Sequence, residues 1–350
     1  MKDTALRALR LQRSHLLEPA NEAAYDALFR QMSPCRTAYW CAPGSPPTIT
    51  HAAAFDDGAY TDSLRARRTL LKGRFQNGGV AYVFRDELAL FAAAYRKDPT
   101  RLTEAENTLL RLLRQEGPMS IGLMKEMTGW LVKEITPVLH KLQEKFLVFE
   151  DQADSEGDRA WYLFEEELSD VDLSQWTREA AIGEMLQRFA YLQGFFTLAM
   201  AKSYYGLPLR VLQKALDVLC ADGVLQPVEW DGEKGYVRVS DLPLLELPAP
   251  VPQSVFCLHR NAYLVKSGEP MLAGRWLCEG LDLLFYLCID GAIAGAVVGH
   301  LHNGPFELED VRLDLPPDAA ERRRDEILQA IYKVNDPAYS PLRRYCGREV

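Results

Sequence analysis

Hydrophobic residues between positions 103 and 164 follow a pattern that predicts three helices and then two paired strands. Thr103 and Glu106 have the spacing of a capping box, in which each side chain satisfies a backbone N–H group at the start of a helix. Apolar residues then recur at helical spacing in the runs 109–113, 121–127 and 135–142, and strand-like apolar runs follow at 146–149 and 161–164. Three helices followed by a hairpin indicate a winged-helix unit.

The same order returns in the next segment. Its predicted elements are a helix starting near Thr177, helices at 196–205 and 209–219, and a hairpin at 224–230 and 235–239. The separation of Leu142 and Leu219 gives a repeat of 77 residues. This is longer than the repeats of solenoids, which run from about 20 to 50 residues, and indicates duplicated domains.

The two ends of the chain carry weaker patterns. At the start, the predicted elements are helices at 4–16, 23–32 and 64–72 and a strand at 80–84. A proline-rich linker at 247–252 precedes the last segment, whose predicted elements are strands at 285–289, 293–300 and 311–315 and a helix at 319–332. We therefore predict an α+β fold of three tandem winged-helix (helix-turn-helix) domains, at residues 1–100, 101–170 and 171–245, followed by a small β-rich, barrel-like domain at 254–350.

Composition narrows the class of protein. The 350 residues are 48% hydrophobic and 25% charged, which is typical of a soluble protein, and the longest apolar run is far shorter than the ~20 residues of a membrane span. The first residues form no apolar signal core, so we expect a cytoplasmic protein without a membrane partner. Seven cysteines form no CxxC pair, and we expect no disulfide, no metal and no cofactor.

The charge balance restricts where nucleic acid could bind. A net charge of −9 argues mildly against such a partner, since phosphate contacts require Lys or Arg, and any DNA surface must therefore be a local basic face. The candidate contacts lie on the predicted third helices and their exits: Arg65, Arg67, Arg68, Lys72 and Arg74 in the first domain, Lys133 and Lys141 in the second, Arg210 and Lys214 in the third. The alternative is that these residues form solvated helix faces.

Other candidate groups favour structural roles. His300 and His302 alternate on one strand and could offer two metal ligands, but no carboxylate cluster or CxxC supports them, and we favour strand and turn histidines. Tyr39 and Trp40 could stack on an exposed base, although a core position is the better interpretation of such a pair.

Several landmarks taken together resemble one family. The stretches concerned are Leu6 to Arg10, Gln31-Met32-Ser33-Pro34 running on through Tyr39 to Gly44, Gly78 to Leu88, Leu258 to Asn261 and Ile289 to Gly295. In order and spacing they are similar to landmarks of the AlkZ/YcaQ family of DNA glycosylases. The resemblance implies an array of three winged helices closed by a β domain. It also implies that the protein excises alkylated bases and unhooks interstrand crosslinks.

The same resemblance implies a catalytic motif. The family signature is Gln, an apolar residue, then Gln or Asp, and here the three positions hold Gln31, Met32 and Ser33. The first position matches and the last does not, because Ser33 stands where the family has Gln or Asp. Ser33 can form hydrogen bonds but carries no negative charge at pH 7. The alternative for both residues is structural, with Gln31 a polar residue near a helix end and Ser33 a turn former before Pro34.

We expect a metal-free, cytoplasmic and nucleoid-associated DNA glycosylase that acts as a monomer on double-stranded DNA, with Gln31 and Ser33 as its catalytic residues. One alternative is a DNA-binding damage sensor or regulator that has lost the chemistry, which Ser33 favours. Another is a protein whose winged helices mediate only protein contacts, which the net charge of −9 favours.

Overall fold

The first unit of the computed structural model holds the candidate catalytic motif. The structure describes residues 1–37, 47–150, 159–301 and 305–350. The elements of this unit are α1 (Asp3–Arg13), α2 (Glu22–Met32), α3 (Asp57–Ala66), β1 (Leu70–Phe75), β2 (Gly79–Phe84) and α4 (Leu88–Tyr95). Strands β1 and β2 pair antiparallel, and Cys35 forms a bridge with Tyr82, so the chain just after α2 lies beside β2.

The prediction of a helix at 64–72 is wrong. Helix α3 ends at Ala66, Arg68 adopts a positive φ of 55°, and the chain is extended from Leu70 onward. A positive φ breaks the helical path, and successive side chains of the strand that follows point to opposite faces. Leu70 and Leu71 are both buried, on the two faces of β1.

The second unit follows the predicted order closely. Its elements are α5 (Glu104–Glu116), β3 (Met119–Ser120), α6 (Ile121–Thr128), α7 (Val132–Glu144), β4 (Val148–Glu150), β5 (Ala160–Leu163) and α8 (Phe164–Glu167). The capping box is confirmed, because the Glu106 N–H donates to Thr103 Oγ1 at 3.2 Å and the Thr103 N–H donates to Glu106 Oε2 at 2.7 Å. The strand order is β3-β5-β4.

The third unit repeats this architecture. Its elements are α9 (Arg178–Gln193), β6 (Phe195–Phe196), α10 (Leu198–Tyr205), α11 (Leu209–Ala221), β7 (Leu225–Trp230), β8 (Glu233–Arg238) and α12 (Leu242–Glu246), with the strand order β6-β8-β7. Ser120 and Thr197 cap α6 and α10, and Gly129 and Gly206 end the same helices with φ of 72° and 65°. Each pair is 77 residues apart in the sequence, so the predicted repeat is confirmed.

The first and third units share one hydrophobic core, whereas the second unit has a core of its own. One continuous core contains residues of the first unit, such as Tyr25 and Phe91, together with residues of the third, such as Phe189 and Leu216. The second unit has a separate core around Leu109, Leu139 and Trp161, and it meets the large core through the aromatic residues near its hairpin. The first and third units therefore form one packed body.

Helix α1 packs on the third unit through charged and apolar contacts. Arg13 makes a bidentate ion pair with Asp241 at 2.8 and 2.7 Å, and the two side chains are only 9% and 3% exposed. Arg10 donates to the carbonyl oxygens of Gln193 and Phe195 at 2.8 and 3.0 Å. Leu6 belongs to a small core otherwise formed mostly by the third unit. The first helix of the chain is therefore fixed to a unit that ends more than 200 residues later.

The fourth unit is a mixed sheet with helices. Its elements are β9 (Val255–His259), α13 (Tyr263–Leu272), β10 (Asp282–Ile289), β11 (Ala292–His300), β12 (Glu307–Leu313), α14 (Pro317–Arg322), α15 (Arg324–Tyr332), β13 (Leu342–Tyr345) and β14 (Arg348–Glu349). The strand order is β14-β13-β12-β11-β10-β9, with β12 and β13 parallel. Among the described strands β9 and β14 do not pair, so the sheet is open and the barrel-like prediction is wrong.

Two further predictions for this unit differ in outcome. The hairpin at Asp290-Gly291 is confirmed, with φ of 49° and 75°, as a tight two-residue turn requires. The single helix predicted at 319–332 is instead two helices, which meet at Arg323. In the four described ranges, no helix is both long enough and apolar enough to cross a membrane.

Candidate functional site

Gln31 lies in the last turn of α2, whose end is held by side chains of the third unit. The final carbonyl groups of a helix have no partner within the helix. Here Arg188 Nη1 donates to the Arg30 carbonyl oxygen at 3.0 Å, and the Tyr204 hydroxyl donates to the Met32 carbonyl oxygen. Asn21 caps the other end of α2 by accepting from the Ala24 N–H at 3.0 Å. The backbone that carries Gln31 is thus fixed at both ends.

Arg188 anchors this arrangement through two carboxylates. It contacts Glu87 at 2.7 Å and Glu184 at 2.8 Å. Burial favours a lower pKa for the Arg188 guanidinium, but the neighbouring carboxylates outweigh this effect and raise the pKa above its ordinary value. Burial raises the pKa of Glu87, which Arg188 and Arg30 partly offset. Arg188 therefore stays charged and links the first unit to α9.

The Gln31 side chain remains available to a ligand. It is half-buried. Its amide makes no hydrogen bond to any residue that the structure describes, while the backbone on either side is fully engaged. A carboxamide offers both a donor and an acceptor. Gln31 can therefore bind a water molecule from a rigid position.

Ser33 lies in a different environment. It is 1% exposed, and its hydroxyl donates to the Phe29 carbonyl oxygen at 2.9 Å. Cys35 Sγ lies 3.5 Å from the same oxygen, and burial raises the pKa of the Cys35 thiol. The single hydroxyl proton of Ser33 is therefore already used to satisfy the end of α2.

A cavity lies beside the motif, where the first unit, α10 and the fourth unit meet. The residues that line it are Ser14, Leu16, Met32, Cys35, Arg36, Thr48, Ile49, Thr50, Tyr204, Leu258 and the run 261–264. Arg36 Nε donates to Gln76 Oε1 at 2.7 Å, and Gln76 Nε2 donates to the Pro34 carbonyl oxygen at 3.2 Å. Asn261 Nδ2 donates to the Thr37 carbonyl oxygen at 2.8 Å. These contacts fix the chain that follows the motif.

Four of the predicted DNA contacts are engaged within the protein. Arg65 is 5% exposed and pairs with Asp62 of the same helix at 3.4 Å, and Arg68 pairs with Glu167 of the second unit. Lys72 pairs with Glu150 of the second unit at 2.6 Å, and burial lowers its pKa. Burial also lowers the pKa of Arg74, which donates to the Gly78 carbonyl oxygen at 2.9 Å. Arg68 and Lys72 thus connect the first unit to the second in the structure.

The remaining predicted contacts are exposed on third helices. Arg67 lies at the end of α3, Lys133 and Lys141 on α7, Arg210 and Lys214 on α11. Lys133 and Arg210 are 77 residues apart and occupy the same position on their helices, each after an exposed apolar residue, Val132 or Leu209. Lys125 and Lys202 form a second exposed pair at this spacing, on α6 and α10. The repeat was the signal that could have identified this pair from the sequence.

The histidines and aromatic residues singled out above have separate positions. His300 ends β11, and one of its ring nitrogens lies within 4.8 Å of carboxylate oxygens of Glu307 and Glu309. Arg343 contacts both of these glutamates, at 3.7 and 2.5 Å. His302, Tyr39 and Trp40 lie outside the described residues.

Comparisons with known proteins add a family and a fold. A family model described as "DNA glycosylase AlkZ-like" matches residues 49–257, which begin after the Gln31 motif. The solved structure of Streptomyces sahachiroi DNA glycosylase AlkZ is similar to this chain with a TM-score of 0.68 and 14% identity, over 98% of this chain and 100% of that one. At this identity the similarity shows a shared fold. No curated protein sequence matches the chain.

Proposed function

Because this chain belongs to the AlkZ-like DNA glycosylase family, we propose that it hydrolyses the N-glycosidic bond of alkylated purines in double-stranded DNA. The substrates are cationic or bulky adducts at N7 or N3, and the proposal extends to unhooking interstrand crosslinks of the same chemistry. The observation that carries it is the Gln31 amide, which has no partner in the described chain although its backbone is held by Arg188 and Tyr204.

Hydrolysis of the glycosidic bond of a cationic purine requires no acid catalyst from the protein. When the bond between C1′ and the purine nitrogen breaks, its electron pair neutralises the positive charge of the alkylated base, so the base leaves without acid assistance. The water oxygen then bonds to C1′ and releases a proton. Gln31 orients this water by accepting a hydrogen bond from one of its O–H groups and donating one to its oxygen, so it positions the water and the proton passes to solvent. The Ser33 hydroxyl donates its hydrogen bond to the Phe29 carbonyl oxygen and so stabilises the end of α2.

We also propose how the fold serves this chemistry. The first three units act as winged helices, with the domain limits predicted from the sequence, and α7 and α11 present Lys133, Lys141, Arg210 and Lys214 to phosphates. Arg67 is the corresponding contact of the first unit. The protein works in the cytoplasm as a nucleoid-associated monomer and needs no metal or cofactor.

Lys133 and Arg210 are the basis of a binding prediction. The double variant Lys133→Ala/Arg210→Ala should bind duplex DNA more weakly, because each lost phosphate contact removes the release of a counterion. A plot of log affinity against log salt concentration has a negative slope, and we expect its magnitude to decrease by about 2, or about 1 for each residue. Fluorescence anisotropy with a labelled duplex at several salt concentrations measures the slope.

A matched control variant distinguishes the loss of phosphate contacts from the change in the net charge of the protein. Arg111→Ala/Arg348→Ala removes two exposed basic residues from α5 and β14 and should leave the slope unchanged. Equal slopes for both double variants would show that Lys133 and Arg210 act only through the overall charge of the protein.

Ser33 allows a second prediction. Ser33→Ala removes one buried hydrogen bond and should cost about 1 kcal/mol of stability, with an excision rate within tenfold of wild type. Ser33→Asp restores the family residue but places a carboxylate at a position that is 1% exposed. We expect a loss of about 3 kcal/mol or more, because an unpaired charge is costly in the interior. Urea unfolding measures both effects. Faster excision by Ser33→Asp at unchanged stability would show that position 33 faces the reaction.

The alternative is a DNA-binding protein without catalysis, and the buried Ser33 hydroxyl in place of the family's Gln or Asp favours it. Purified protein is incubated with duplex DNA containing 7-methylguanine or a nitrogen-mustard crosslink, and released base and abasic product are measured. Product formation supports the glycosylase. Salt-sensitive duplex binding without product supports the alternative, and the absence of both leaves a protein-interaction role.

A further inference from the structure

Two buried hydroxyl groups in the cavity beside the motif have no hydrogen-bond partner. Tyr263 is 6% and Ser14 2% exposed, and both line this cavity. Neither hydroxyl is hydrogen-bonded to any residue in the described ranges. The neighbouring amide of Gln193 donates to Ser267 Oγ at 2.7 Å. Since nearly all buried polar groups in folded proteins are paired, these two hydroxyls offer their hydrogen bonds to the molecule that fills the cavity, a ligand or water.

The lining of the cavity restricts the chemistry of this ligand. Most of the wall is apolar, and it includes the rings of Tyr204 and Tyr263, whose centroids are 4.7 Å apart. The polar groups are hydroxyls, the Asn261 amide and the Arg36 guanidinium, a donor that Gln76 holds in place. Burial raises the pKa of Tyr263 well above its usual value, so its hydroxyl keeps its proton. No Asp or Glu lines the described part of the cavity.

These features exclude some ligands and favour one class. A cation would find no carboxylate, and a strongly hydrated anion would lose its water to largely apolar walls. A flat, uncharged heterocycle fits both halves of the lining, because its faces pack on apolar and aromatic side chains while its edge accepts hydrogen bonds.

We propose that this cavity binds one uncharged nucleobase, the alkylpurine that excision releases. A 7-alkylguanine leaves as a neutral base whose O6 and ring nitrogens accept hydrogen bonds from Tyr263, Ser14 and Arg36. The cavity then acts as a product site next to Met32 and the catalytic motif. This inference rests on the proposed function, but binding of the free base can be measured without any excision.

The test is calorimetric titration of the protein with free 7-methylguanine, followed by Tyr263→Phe and Ser14→Ala. Each variant should bind the base about fivefold more weakly, because it loses one hydrogen bond. Each should also raise Tm in the absence of ligand, because it removes an unpaired buried hydroxyl. Indole, which lacks the acceptors of the purine, should bind more weakly than 7-methylguanine.

Tyr60→Phe is the matched control, since the Tyr60 hydroxyl donates to Asp26 at 3.1 Å outside the cavity. It should lower Tm and leave base binding unchanged. Unaltered affinity in both cavity variants, or equal affinity for indole, would overturn the inference. So would a wild-type protein that excises 7-methylguanine but does not bind the free base, and that result would leave the proposed function intact. Base binding without excision would support the cavity and count against the glycosylase.

Discussion

Gln31→Ala should lower the rate of 7-methylguanine excision by about 10²-fold to 10³-fold while duplex affinity stays within about twofold of wild type. The amide acts on the attacking water, so its loss raises the barrier of the chemical step, and removal of one group aimed at a transition state has effects of this size. Single-turnover excision from a labelled duplex, with enzyme in excess over DNA, measures the chemical step directly.

The second unit supplies the control for this experiment. Gln115 is the penultimate residue of α5, as Gln31 is of α2, and it is exposed. Gln115→Ala should excise at the wild-type rate. If Gln31→Ala also excises at the wild-type rate, Gln31 does not orient the water, and the catalytic group lies elsewhere in the chain.

Asp241→Asn should destabilise the protein by about 3–5 kcal/mol. The substitution keeps the shape of the side chain but leaves the buried Arg13 guanidinium without its counterion, and breaking a buried pair from one side has a cost of this order. The pair is 9% and 3% exposed and bidentate, so solvent cannot replace the lost carboxylate. Urea unfolding followed by circular dichroism gives the change in the free energy of unfolding.

An exposed pair in the same unit shows what burial contributes. Lys214 and Glu179 lie 3.2 Å apart with side chains 68% and 66% exposed, and Glu179→Gln should cause no measurable change, because water screens such pairs. A loss below about 1 kcal/mol for Asp241→Asn would mean that α1 is held by its apolar contacts and the Arg10 hydrogen bonds and not by the ion pair.

The second and third units could be predicted from sequence because their information is local. Helix starts are marked by caps such as Thr103, helix ends by glycines such as Gly129, and the helical spacing of leucines is regular between them. Local signals of this kind also fixed the 77-residue repeat. The hairpin at Asp290-Gly291 belongs to the same class, since its turn chemistry is contained in two residues.

The first unit was harder to predict because its boundaries depend on contacts with other units. Arg68 turns the chain out of α3, and its side chain meets Glu167 of the second unit. Lys72 faces Glu150 in the same interface. The sequence alone does not distinguish a basic residue that forms an ion pair with a distant carboxylate from one that contacts a phosphate. That is why the cluster at 65–74 was predicted as a DNA contact.

The candidate site was predictable in part. Resemblance to a family pointed to Gln31 and Ser33, but only the packed chain reveals that the hydroxyl of Ser33 bonds to Phe29 while the amide of Gln31 remains available. The cavity could not be anticipated at all. Its lining comes from the chain after α1, the end of α2 and the chain that follows it, α10 and the fourth unit, and no sequence spacing connects Ser14 with Tyr263.

The position of α1 has a consequence for how the protein is made. Arg13 and Asp241 are separated by 228 residues, so α1 emerges from the ribosome long before its partner exists. At about 5–20 residues per second, this interval is roughly 10–45 seconds. During that time Leu6, which is buried in the finished protein in a core formed mostly by the third unit, has no surface of that unit to pack against. The helix that is synthesised first can take its final place only after the third unit has been translated.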